Sequence, residues 1–209
     1  MNRSSHPGAP PGPPPLRIER LAGPGLQALL PDLARLRIEV FRGWPYLYDG
    51  DPEAEARHLA EFAASPGATM VVARNGDLAV GAATCQPMTE AAAAVQAPFR
   101  AAGMDLSRLC YFGESVLSRI WRGQGVGVAF FAERLAAARE AGLTTAAFCA
   151  VRRDPADPRR PADHTPLDAF WRKRGFAPAP GLAVAMSWRE VGAEAEVPQR
   201  LDVWLRDPV

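Results

Sequence analysis

Apolar and polar positions switch between two periods along the chain, and the switches predict its elements. Leu16-Arg17-Ile18-Glu19-Arg20-Leu21 alternates with period two and suits a first strand. From Leu26 to Phe41 the apolar side chains fall at Leu29, Leu30, Leu33, Leu36, Val40 and Phe41, the spacing of an amphipathic helix. Pro31 and Asp32 sit in its early turn or split it near its start. A turn-rich, aromatic loop over 43–52 leads to a second amphipathic helix over 53–64. Two apolar runs, 69–74 and 78–86, flank Asn75-Gly76-Asp77, a strong hairpin signal because Asn-Gly accepts the positive φ angles of a tight turn. An alanine-rich helix over 91–102 and a long strand over 108–118 follow. Next come a helix over 128–141 closed by Gly142 and a buried strand over 144–151. A short helix over 166–174, stopped by Gly175, precedes strands over 182–188 and 199–206. Adjacent strands mixed with strand–helix–strand crossovers predict an α/β (α+β) fold. Its central sheet is mixed and mostly antiparallel, with about seven strands flanked by helices.

Length and composition narrow the class. A chain of 209 residues can bury a core without disulfides or a structural metal. Residues 1–15 are a Pro/Gly tail expected to be disordered, leaving 16–209 as one domain. Lys+Arg of 24 against Asp+Glu of 23 leaves +1, so neither nucleic acid nor an anionic membrane is an expected partner. Cys85, Cys110 and Cys149 are widely spaced and form no CxxC pair, and His6, His58 and His164 are the only histidines. No metal site is expected from them. No apolar signal core or membrane-length run appears, and a cytoplasmic protein is the expectation.

The segment 108–142 carries the chemistry. A glycine turn between a strand and a helix exposes backbone N–H groups at the positive end of a helix dipole, where a phosphate or pyrophosphate can bind. Arg122-Gly123-Gln124-Gly125-Val126-Gly127-Val128 is not a P-loop, because no Lys-Ser/Thr follows the glycines. It is not the dinucleotide fingerprint either, since valine holds the third glycine position and no acidic residue stands about 20 positions on. A structural helix start that binds nothing is the alternative reading.

Arg122-x-x-Gly125-x-Gly127 resembles the Q/R-x-x-G-x-G/A turn of the GCN5-related N-acetyltransferase (GNAT) superfamily. Ala169-Phe170-Trp171-Arg172-Lys173-Arg174-Gly175-Phe176 is similar to that family's later F-Y-x-x-x-G-F helix, and the order of elements agrees from Leu16 to Arg206. The resemblance implies a GNAT fold in which 108–118 splays from its parallel neighbour 144–151. It further implies acetyl-CoA as co-substrate, with backbone contacts from Val116 and Leu117 and the pyrophosphate held by Arg122, Gly123, Gln124, Gly125, Val126 and Gly127. The activity implied is direct attack of a small molecule's amine, or another amino group, on the acetyl thioester, without a metal. Glu114 is the candidate general base, its carboxyl expected to be raised by burial; pairing with an arginine is the alternative. By strand alternation Ser115 faces the opposite side of the sheet.

Trp171 stands where the family often has the tyrosine that protonates the leaving thiolate. His164 is then a candidate proton carrier or a helix cap, Tyr111 another acid, and a thiolate that leaves unassisted is also open. Cys149 reads as a core residue before a nucleophile. Trp44, Tyr46 and Tyr48, with Asp49 and Asp51, can form an aromatic wall for a cationic amine or simply pack and turn the loop. Arg152, Arg153, Arg159 and Arg160 border the opposite loop, as anion receivers or as solvated charges. A non-catalytic acyl-CoA sensor of the same fold is the alternative function, and a homodimer is compatible with the chain.

Overall fold

Most changes of hydrophobic period become element boundaries in the computed structural model, which describes residues 15–209. The order is β1 (Leu16–Ala22), α1 (Pro24–Gln27), α2 (Leu30–Phe41), α3 (Pro52–Ala64), β2 (Thr69–Asn75), β3 (Leu78–Pro87) and α4 (Ala93–Ala101). There follow β4 (Leu109–Leu117), α5 (Val126–Glu140), β5 (Thr145–Val151), α6 (Asp168–Arg172), β6 (Ala177–Arg189) and β7 (Glu196–Arg206). The tail expected over 1–15 lies, apart from Pro15, outside the described residues.

Among the described residues seven strands form one sheet in the order β1-β2-β3-β4-β5-β7-β6, antiparallel except for the central pair β4/β5. Helices α1 to α4 cover one face, packing Leu33, Leu36 and Leu59 on Met70, Val72 and Val116, and Val95 and Phe99 on Leu109 and Val184. Helices α5 and α6 cover the other, where Phe112, Phe131, Phe148, Phe176 and Trp204 form an aromatic core with Trp171 beside it. Burial of this size, at about 25 cal/mol per Å² of apolar surface, is the main stabilising term.

Local chemistry explains the boundaries that moved. The first helix divides at Ala28–Leu29, because Pro31 suits the first turn of a helix and not its interior. Asp51 caps α3, its carboxylate accepting from the Ala54 N–H at 2.8 Å. Helix α6 is shorter than expected, starting at Asp168 after Pro166. Strand β6 starts five residues early and slips register between Pro178 and Ala183, which masks its alternation in the sequence. Among the described residues no helix is long and apolar enough to cross a membrane.

Candidate functional site

The central parallel pair is incomplete. β4 pairs with β5 only from Leu109–Phe112 against Thr145–Phe148, then both strands run on unpaired with each other to Leu117 and Val151. At the same point β4 bulges against β3. Phe112 faces Cys85 and Ser115 faces Ala83, which leaves Gly113 and Glu114 opposite Thr84 alone. The bulge reverses the alternation of the strand. Before it, Tyr111 packs on the α4 side and Phe112 on the α5 side; after it, Val116 packs on the α2 side and Leu117 on the α5 side. Glu114 is thereby turned toward α2 and α3. A side chain at 113 would bring a Cβ within 2.6 Å of Thr84 Oγ1, which itself accepts the Glu114 N–H at 3.0 Å.

The gap between β4 and β5 has free backbone along it. Ser118 N–H donates to Val80 O at 3.0 Å. By antiparallel alternation the amides of Ser115 and Leu117 face the gap and the Val116 amide faces β3. Arg122 Nε donates to Leu117 O at 3.3 Å, tying the glycine turn to the strand end. Gly125, at φ 84°, is the N-cap of α5 and Gly123 stands at φ 78°. Among the described residues, the amides of Gly123, Gln124, Gly125, Val126 and Gly127 donate to no backbone or side-chain acceptor. An added Cβ at Gly125 meets nothing, so the left-handed backbone is what demands glycine there. At Gly127 it meets Phe170 Cζ at 3.2 Å, so this glycine lets α6 close on α5.

A charged cluster fills the α2/α3 side of the gap. Arg37 of α2 donates to Glu55 of α3 through Nε and forms an ion pair with Glu114, its Nη1 3.0 Å from Oε1. Glu55 is 1 % exposed and Glu114 11 %. His58 Nε2 lies 3.8 Å from the same Glu114 oxygen. Burial alone would raise the Glu114 carboxyl, but Arg37 and then His58 outweigh it and hold it at about 2. The expected upward shift is thus reversed. Burial raises Tyr46 to about 12, and burial with Glu55 raises Tyr48 to about 12. Tyr111 is raised well above its usual range, again chiefly by burial.

No protein-family model and no curated protein matches this sequence. Solved structures do match its fold. A ribosomal-protein-alanine N-acetyltransferase from Brucella melitensis aligns over 91 % of this chain and 99 % of its own at 17 % identity and TM-score 0.58. A GCN5-related N-acetyltransferase from Kribbella flavida covers 93 % and 98 % at 18 % identity and TM-score 0.55. An acetyltransferase from Thermus thermophilus covers 93 % and 97 % at 14 % identity and TM-score 0.55. The chain has the GNAT fold.

Within this GNAT fold the remaining candidates are dispersed. Trp171 packs on Phe148 at 5.1 Å and on Trp204 at 4.9 Å. His164 lies in the loop before α6, edge-on to Trp44 at 6.0 Å, and does not cap α6, whose N-cap is Leu167. Tyr46 packs tilted on Phe41 and stacks on Trp188 at the edge of the core. Burial raises the Cys149 thiol to about 12, which disfavours a thiolate. Arg153 and Arg159 both pair with buried Glu190, and Arg153 also donates to Pro45 O and Tyr46 O, fixing the aromatic loop. Among the described residues no group of three or more His, Cys, Asp or Glu is placed to hold a metal ion.

Arg37, Glu55 and His58 were not singled out by sequence reasoning. The signal existed: Arg37 falls four residues after Leu33 and four before Phe41, and Glu55 four before Leu59. Opposite charges thus interrupt the apolar stripes of two successive helices.

Proposed function

We propose that the protein is an acetyl-CoA-dependent N-acetyltransferase acting on the amine of a small molecule or another amino group. The observation that carries this reading is the run of five unpaired amides, Gly123 to Gly127, at the mouth of an unpaired strand gap. That cradle fits a pyrophosphate by charge and geometry. The free amides of Ser115 and Leu117 suit an extended amide-bearing arm laid along β4. Acetyl-CoA supplies an activated acetyl thioester. The chain supplies position, which in such transfers accounts for much of the acceleration, and N–H groups that polarise the carbonyl. Glu114, ionised at the bulge, presents negative charge where a cationic amine would approach.

A non-catalytic acyl-CoA sensor is favoured by one observation: the half-buried Trp171, packed on Phe148 and Trp204, carries an indole N–H that is no acid for the leaving thiolate. Calorimetric titration with acetyl-CoA tests the shared site. Micromolar binding, about −8 kcal/mol, that Gly125→Glu abolishes is the expected result; no binding by folded wild type overturns both readings. Turnover of any amine above background then excludes the sensor.

A further inference from the structure

Glu114 is an ineffective base for the proposed reaction. A carboxyl held at about 2 is ionised at every working pH yet accepts a proton poorly. Its Oε1 already faces Arg37 at 3.0 Å. The other group on that oxygen is His58 Nε2 at 3.8 Å, a charge-pair separation longer than a hydrogen bond. The His58 side chain is 53 % exposed, so the imidazole spans from a buried carboxylate to solvent. Imidazole is the side-chain type that exchanges protons near neutral pH.

We propose that His58 is the proton acceptor of the site and that Glu114 acts as its fixed counter-charge. The inference rests on the acetyl-transfer reading. In the step, the amine nitrogen forms a C–N bond to the acetyl carbonyl carbon. The C–S bond breaks and its electron pair leaves on the coenzyme A sulfur. The proton shed by nitrogen passes to His58, directly or through one water. The imidazolium returns it to solvent across its exposed side and the thiolate takes up one proton, so the products are amide and thiol. Glu114 facing Nε2 leaves the second ring nitrogen to accept. The charges around the imidazole are Glu114 from β4 with Arg37 of α2 behind it, and Glu55, Arg57 and Glu61 on α3 itself. Glu55 is already paired to Arg37, and Tyr48 from the preceding loop lies against Glu55.

Two measurements test this. The first follows the imidazole resonances by NMR at fixed pH. The chain has three histidines, so loss of one signal in His58→Gln assigns the residue. In Glu114→Gln the assigned His58 signal should move at fixed pH, because the carboxylate facing Nε2 is gone; an unmoved signal overturns the proposal, and no acceptor amine is needed to see it. The second follows thiol release from acetyl-CoA with spermidine, tyramine and an alanine-terminated peptide. Wild-type kcat/KM should rise with pH along the limb of a general base that must be deprotonated. His58→Gln should erase the limb and lose about 10²-fold in kcat/KM, with acetyl-CoA affinity by calorimetry unchanged. A limb that survives in His58→Gln overturns the proposal and leaves acetyl transfer standing. Absence of acetyl-CoA binding by wild type overturns the reading beneath it instead.

Discussion

Arg37 and Arg134 stand on opposite faces of the sheet, both close to the bulge at Thr84 and Glu114, and the protein neutralises them in opposite ways. Arg37 has two carboxylates, Glu55 and Glu114, and although burial opposes its charge they raise its pKa above the usual value. Arg134, 2 % exposed, has no carboxylate partner among the described residues. Its guanidinium lies over Phe112 at 4.4 Å and Phe131 at 4.9 Å and donates to Phe130 O at 3.1 Å and, at 3.5 Å, to Thr84 O. Burial pushes it down to about 10, against the pull of Cys85, Cys110 and Glu114. One cation is locked by counter-ions that suffer if it is removed. The other is tolerated by rings and carbonyls that do not need it.

The largest effect should come from breaking the first arrangement. Arg37→Met strands two buried carboxylates and should cost about 3–5 kcal/mol, read as a lowered urea midpoint at unchanged slope. Arg37→Lys should recover only part, because an ammonium cannot bridge both carboxylates as a planar fork does. The same pair predicts an acid limb. Glu114 titrates near 2 when folded against an ordinary value of 4.5, so its stabilisation is complete above 4.5. It is lost as pH falls from there toward 2. Glu114→Gln should flatten that limb of the stability curve; an unchanged limb would show that the carboxylate is not paired in solution.

The middle effect probes the bulge between the two arginines. Gly113→Ala places a methyl carbon 2.6 Å from Thr84 Oγ1, within the strand pair, and should cost about 1–3 kcal/mol by overpacking. Adding Thr84→Ala removes the obstructing hydroxyl, so the double variant should be more stable than Gly113→Ala alone in thermal denaturation. If the double variant is no better, the clash lies elsewhere and the account of Gly113 is wrong.

How much of this could be read beforehand follows the physics of each element. The sheet and its flanking helices were legible because period-two alternation marks 16–21, helical spacing marks 30–41, and the apolar runs of 69–86 break at Asn75-Gly76. The glycine turn was legible as a phosphate cradle, but the separate reasons for its glycines were not. Gly125 needs a left-handed backbone and Gly127 makes room for Phe170, and only the second depends on a residue far away in sequence. The bulge was invisible: Phe112-Gly113-Glu114-Ser115 reads as unbroken strand, so the side to which Glu114 turns could not be assigned. Its carboxyl was expected to rise because burial of a strand residue is readable locally, whereas Arg37 lies 77 positions earlier and reaches it only through helix packing.

The smallest effect should come from the second arginine. Arg134→Met keeps a long, flexible apolar stem between Phe112 and Phe131 and removes a charge that burial already disfavours. Lost are two rings' cation–π attraction, worth about 2 kcal/mol when desolvated, and a long bond to Thr84 O. Gained is relief from burying an uncompensated guanidinium. These oppose, so the net change should be about 1 kcal/mol or less, well below the Arg37→Met loss in the same urea assay. Thr84 then decides the interpretation. Arg134 meets its carbonyl while its hydroxyl receives the Glu114 N–H, so a loss as large as that of Arg37→Met would mean that Arg134 holds the bulge in place from behind. The Glu114 acid limb would then shift along with it, whereas a merely tolerated cation leaves that limb where it was.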